Sequence, residues 1–179
     1  PGCSTGCHVD VFAKPEVRTY FRIKPRESEV NGHWMCDKGR DMYQHMNQEH
    51  RLRKALVADG AAGRSKVSAA EGVASLADRL AETDPSDIAL LVAAQYTNEE
   101  YRDLLSYFVS TLGVRKVFLW RQEGEALDDF DGILLRGDRN ANTAGLKSAL
   151  ETVGLETKIT NQFDEVAQCG AKTVIALAP

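Results

Sequence analysis

No apolar run in the 179 residues approaches the roughly 20 that a membrane-spanning helix needs. Positive charge is not in excess either. The 22 lysines and arginines are outnumbered by 26 acids, for a net charge of -4 with the two signs interspersed. A nucleic-acid surface concentrates basic residues on one patch, so protein or small-molecule partners are expected, with no nucleic acid and no direct membrane insertion. Cysteine is scarce: 4 residues, not spread through the chain as in a small secreted disulfide framework. The loop "RGDRNANTAG" has neither the G-x-G-x-x-G pattern nor the lysine-hydroxyl ending of a P-loop, and Asp138 within it repels phosphate. It is read as a turn and helix cap ahead of a nucleotide site. No residue is read as a catalytic acid, base or nucleophile.

What is present begins with "PGCSTGC". Alternating residues from Val9 to Phe12, a turn at "AKPE" and alternation again from Val17 to Ile23 predict a β-hairpin. Pro25 ends its second strand, Asn31-Gly32 signals a tight turn, and "HWMC" leads to Cys36. A hairpin that goes out and returns brings Cys36 back beside Cys3 and Cys7, a thiol cluster with the spacing C-x3-C-x28-C. Three thiolates make an incomplete site. For zinc, His8 or His33 would have to be the fourth ligand. An iron-sulfur cluster needs four cysteines, and the fourth is expected just before Pro1, as C-P-G-C-S-T-G-C. His45 and His50, five apart on a predicted helix from Asp37, miss the i, i+4 spacing of a helical metal pair and are read as surface residues. Cys169, before "TVIALA", is read as a small buried apolar residue.

"PGCSTGC" followed by "RIKPRESEVNGHWMCDKGR" resembles the cluster-binding start of the molybdopterin-oxidoreductase-like subunit family of the proton-pumping NADH-quinone oxidoreductase, respiratory complex I. The wider molybdopterin oxidoreductase superfamily, with formate dehydrogenases and nitrate reductases, carries C-x2-C-x3-C and a lone Cys about 28 residues on. "VNGHWMCDKGR" is closer to the complex I subunit. The resemblance implies Cys3, Cys7 and Cys36 as ligands of a 4Fe-4S cluster, with the first family cysteine unmatched. It also implies that Lys38 keeps the place of a lysine that lies between cluster and pterin in the molybdenum enzymes. A cation there would raise the potential of an anionic cluster.

The remaining two thirds alternate strand and helix. Ser68 and Glu71 predict a capping box ahead of a helix with Val73, Leu76, Ala77 and Leu80 on one face. Thr97 and Glu100 predict a second, ahead of Tyr101, Leu104, Leu105, Phe108 and Leu112, closed by Gly113. Predicted strands are Ile88 to Ala93, Val117 to Trp120, Ile133 to Leu135, "ETKI" and Thr173 to Ala178, with helices at Thr143 to Val153 and "DEVAQC". The "ADGAAGRSK" stretch reads as a polar connection. The expected fold is α/β: a small N-terminal β-rich iron-sulfur subdomain, residues 1–55, then a Rossmann-like parallel sheet with helices on both faces, residues 56–179.

The expectation is therefore a piece of a longer subunit: an electron-transfer component of NADH-quinone oxidoreductase with an accessory 4Fe-4S site, without molybdopterin. Its partners would be the complex's other subunits, and its place cytoplasmic, peripheral to the inner membrane. Two alternatives stand beside it: a fragment of a molybdopterin enzyme such as a formate dehydrogenase, and a cluster-free docking module.

Overall fold

The computed structural model describes residues 2–60, 63–120, 130–156 and 163–177. β1 (Val9–Lys14) and β2 (Thr19–Pro25) pair antiparallel, joined by a single 3-10 turn at Pro15–Val17. Helix α1 (Asp37–Met46) lies against β2. Asn47, at its C-terminal end, accepts from the Tyr20 amide at 3.0 Å and donates back to the Tyr20 carbonyl, imitating a strand neighbour. The apolar interior of this unit is small. Among its described residues only Ile23 and Met35 are buried hydrophobics.

β3 (Ala55–Asp59) and β4 (Gly63–Val67) pair as a second antiparallel sheet, where a polar connection was expected. Apart from Leu56, Val57 and Val67 its residues are small or charged, and most are exposed, so no period-two apolar face announces it. Helix α2 (Ala69–Ala81) follows with its capping box intact: the Glu71 amide donates to Ser68 Oγ at 3.2 Å and the Ser68 amide to Glu71 Oε2 at 2.8 Å. Its predicted apolar face is covered only at one end, since Leu80 is buried while Val73 and Leu76 are exposed.

The main core belongs to three parallel strands, β5 (Ile88–Ala93), β6 (Lys116–Trp120) and β7 (Thr173–Leu177), in the order β6-β5-β7. Every residue of the central strand is buried. Strand periodicity divides its side chains between two faces. Ile88, Leu90 and Val92 meet Tyr101 and Leu105 of α3 (Asn98–Leu105), Phe108 and Val109 of its π-helical continuation Ser106–Thr111, and Leu146 and Leu150 of α4 (Thr143–Thr152). Ala89, Leu91 and Phe118 meet Val166 of α5 (Phe163–Ala167). Cys169 packs beside this second group but is only half-buried. The architecture is the expected mixed α/β one, with small antiparallel sheets first and a parallel sheet flanked by helices after them. No helix among the described residues is long and apolar enough to cross a membrane.

One predicted strand is absent. Ile133 to Leu135 fold into a turn, because Asp131 Oδ1 accepts from the amides of Ile133, Leu134 and Leu135 at 2.8, 2.8 and 2.9 Å. The Asp-Gly pair before the apolar run thus acts as turn chemistry, and Leu134 alone of the three is buried. The predicted "ETKI" strand falls almost wholly outside the described residues, as does Ala178.

Tyr101 joins the end of the central strand to α3. Fully buried, it donates to the Ala93 carbonyl at 3.0 Å and accepts from the Tyr96 amide at 3.1 Å. Burial pushes its phenol up to about 12, so it stays a neutral donor. Tyr101→Phe strands both backbone groups and should lower stability by about 1–3 kcal/mol, seen as a lower urea midpoint at unchanged slope.

Candidate metal centre

Two separate segments carry the thiols. Cys3 and Cys7 lie in the loop before β1, where Gly6 takes φ 78°, a left-handed turn that glycine makes without strain. Cys36 is the N-cap of α1, and its Sγ receives the Gly39 amide at 3.4 Å. That places the sulfur where free helix amides point, a position that favours negative charge.

Asn31 holds these segments together. Its Oδ1 accepts from the His8 amide and from Ser28 Oγ, both at 2.7 Å. Its Nδ2 donates to the Trp34 carbonyl at 2.9 Å and the Arg26 carbonyl at 3.2 Å. One buried amide therefore binds the residue after Cys7 to the residue two before Cys36. The Arg26 amide adds a bond to the His8 carbonyl at 2.9 Å.

A further set of bonds joins the cysteine loop to the α/β layer. The Ser4 amide donates to the Asp138 carbonyl at 3.0 Å, and Thr5 Oγ1 donates to the Leu134 carbonyl. Cys3 Sγ lies 3.3 Å from Thr5 Oγ1. Burial pushes the Cys3 thiol up, but hydrogen bonds from Thr5 and from the Arg136 backbone amide outweigh it and hold the thiol below its ordinary value. Cys7 moves the other way: burial raises it, and the neighbouring Cys3 and Cys36 sulfurs raise it further.

The three sulfurs are thus within electrostatic reach, and all four cysteines are free thiols. Among the described residues, no group of three His, Cys, Asp or Glu side chains is placed to hold a metal ion. The histidines offer no fourth donor here. His8 is exposed, His33 is exposed and pairs with Glu27 at 3.4 Å, and His45 and His50 are exposed on and after α1. The donor set of partly buried thiols with amides aimed at two of them fits an iron-sulfur cluster. Lys38, in the first turn of α1, is exposed, and Arg40 Nε faces Asp37 Oδ1 at 3.8 Å.

Beside the loop lies a cleft of about 350 Å³ lined by residues including Ser4, Thr5, Arg136, Asp138 and Thr143. The "RGDRNANTAG" segment forms its floor. Asp138 Oδ1 accepts from the Asn140 amide at 3.1 Å and from Asn140 Nδ2 at 3.0 Å, and Asn142 caps α4 through the Gly145 amide at 3.1 Å. Asn142 also bonds the Tyr96 carbonyl and Asn98 Oδ1, bringing α4 so close to α3 that a side chain at Gly145 would collide with both asparagines. The turn-and-cap reading thus describes part of what the loop does. Its docking of the cysteine loop carried no sequence signal beyond a polar loop at a strand end.

Residues 1–48 match the Molybdopterin oxidoreductase Fe4S4 domain. The chain is also 30% identical over 103 residues to the protein named "Probable oxidoreductase YjgC" of Bacillus subtilis (strain 168). That stretch is 55% of this chain and 10% of that protein, so the chain spans about a tenth of the relative it matches. Both findings support a relationship to the molybdopterin oxidoreductase superfamily and an oxidoreductase context, and the family match supports a 4Fe-4S cluster in the N-terminal region.

The Asp131 turn shapes the segment on which the cysteine loop rests, and its carboxyl is held below the usual range by the Ile133, Leu134 and Leu135 amides. A group with a depressed folded-state pKa contributes above its unfolded value near 3.9, and loses that contribution as pH falls through the folded value. The turn should be intact at neutral pH and loosen only below about pH 4. Carboxyl titration by NMR should give an Asp131 midpoint below that of a model aspartate, and Asp131→Ala should speed amide exchange at Leu134 and Leu135 at neutral pH.

Proposed function

We propose that this chain is part of an electron-transfer oxidoreductase, related to the molybdopterin-oxidoreductase-like subunit of NADH-quinone oxidoreductase. Residues 1–55 form its iron-sulfur unit and residues 56–179 a Rossmann-like layer that backs it. Cys3, Cys7 and Cys36 are three ligands of a 4Fe-4S cluster, and the family pattern puts the fourth directly before Pro1. The cluster would supply one-electron transfer; the chain's own residues hold, shield and tune it. The match of residues 1–48 to the Fe4S4 domain, in a segment that offers three thiols from two loop positions and a helix N-cap, supports this reading. The string from Val30 to Arg40 is its main support from sequence. Partners are the other subunits of such a complex, placing the chain in the cytoplasm at the inner membrane's edge.

A second reading, a piece of a molybdopterin enzyme, has a specific observation behind it. The cleft beside Cys3 includes the hydroxyl of Thr143, which is buried without a partner at the N-terminus of α4. Molybdenum analysis of the full-length protein separates the two.

The chain extended by one cysteine before Pro1, reconstituted with iron and sulfide without oxygen, should take up about four irons and absorb broadly near 400 nm. Cys7→Ser should abolish this. If the extended chain stays colourless while the unextended one holds a stable metal, the ligand assignment is wrong.

Lys38 is proposed to act by charge alone. Lys38→Ala should leave iron content unchanged and lower the midpoint potential by tens of millivolts, about 30 mV being 0.7 kcal/mol for one electron. An unchanged potential at full iron content would show that the ammonium group stays in solvent.

A further inference from the structure

The contacts between the cysteine loop and residues 134–138 follow a pattern. The Leu134 carbonyl receives the Thr5 hydroxyl, and the Asp138 carbonyl receives the Ser4 amide. The carbonyls of Leu134 and Asp138 thus make an edge of backbone acceptors against which the cysteine loop docks. The segment is itself fixed, by the Asp131 turn before it and by the Asp138–Asn140 bonds within it.

We propose that Thr5 is a positioning residue that locks the cysteine loop onto this edge, making the α/β layer the second wall of the metal centre. Thr5 is the one side chain in the set. Its hydroxyl donates to the Leu134 carbonyl and its oxygen lies 3.3 Å from Cys3 Sγ, so one side chain touches both the sulfur and the edge. With Cys3 ligated, that arrangement would hold the sulfur at a fixed place against the α/β layer, the kind of outer support that tunes a cluster. Without the Thr5 anchor, the loop keeps only the Ser4 bond to this edge. Electron-transfer site and α/β layer are then coupled through two backbone positions, Leu134 and Asp138. The inference rests on reading Cys3 as a ligand, but the docking bonds themselves run between protein atoms only.

The test uses the full chain with Thr5→Val, which keeps the shape and removes the hydroxyl, and Thr5→Ser, which restores it. In the metal-free protein, iodoacetamide labelling of Cys3 is followed by mass spectrometry with Cys169 as internal reference. Thr5→Val should label Cys3 about fivefold faster, the factor carried by one net hydrogen bond. Thr5→Ser should match the wild type, Cys169 should be unaffected, and thermal unfolding of the sheet should not shift. After reconstitution of the cysteine-extended forms, iron loss to a chelator should follow the same order. Equal Cys3 labelling in all three proteins, or failure of serine to restore protection, overturns the proposal even if all of them load iron. Protection of Cys3 that depends on the hydroxyl, in proteins that take up no iron, supports the docking and sinks the cluster reading instead.

Discussion

The N-terminal unit depends on one buried amide. Asn31 sits where the loop bearing Cys7, the turn after β2 and the approach to Cys36 meet, and it bonds to all three. Its carboxamide is suited to this because it accepts and donates at once, which neither a carboxylate nor a hydroxyl of similar reach does in the same geometry. Burial makes the arrangement consequential: a lost partner leaves a stranded backbone group, at about 1–3 kcal/mol each. Little else near the thiols fixes their separation, since Ile23 and Met35 are the only buried apolar residues of the unit among those described.

The two parts of the chain are therefore stabilised in different ways. Around β5 the sheet buries whole side chains on both faces, and removal of apolar area from water dominates. Around the cysteines there is no such reserve. A unit of this size with so small an interior needs a metal, crosslinks or a neighbour to be well ordered. Here the neighbour is visible as residues 134–138, and the thiols supply the means for a metal. Because ligands of this kind are not preorganised in an unfolded chain, the free energy of binding a metal centre also becomes free energy of folding.

Elements with strong local chemistry were legible in the sequence. Both capping boxes, the first hairpin, the α1 start and the buried strands 88–93 and 116–120 follow from side-chain patterns that act over four or five residues. The β3–β4 pair was not, because its three larger apolar residues, Leu56, Val57 and Val67, are too few to mark an alternating face. Ile133 to Leu135 misled for the opposite reason: three apolar residues suggest a strand, but an aspartate just before them captured their amides. Within the site, the cysteine spacing pointed to the thiols and their approach, whereas the roles of Asn31 and Thr5 were hidden. Asn31-Gly32 does make a turn, but its side chain works on partners up to 23 residues away. Thr5 acts across 129 residues. No local pattern reports such distances.

The charge balance at the thiols explains why these polar anchors matter. The Cys3 and Cys36 sulfurs add to the burial that raises the Cys7 thiol, so ionising all three together is resisted. In the proposed cluster all of them would be thiolates, so something would have to offset the repulsion, and bound iron would do most of it. The protein adds fixed dipoles: the Gly39 amide at Cys36, and the Thr5 and Arg136 amides at Cys3. These donors come from the cysteine loop, the start of α1 and the α/β layer. A dipole contributes only if it is held in place before the charge arrives. Asn31 holds the first two sources together and the 134–138 edge holds the third, so the structure places its electrostatic support by hydrogen bonds that themselves lie outside the thiols.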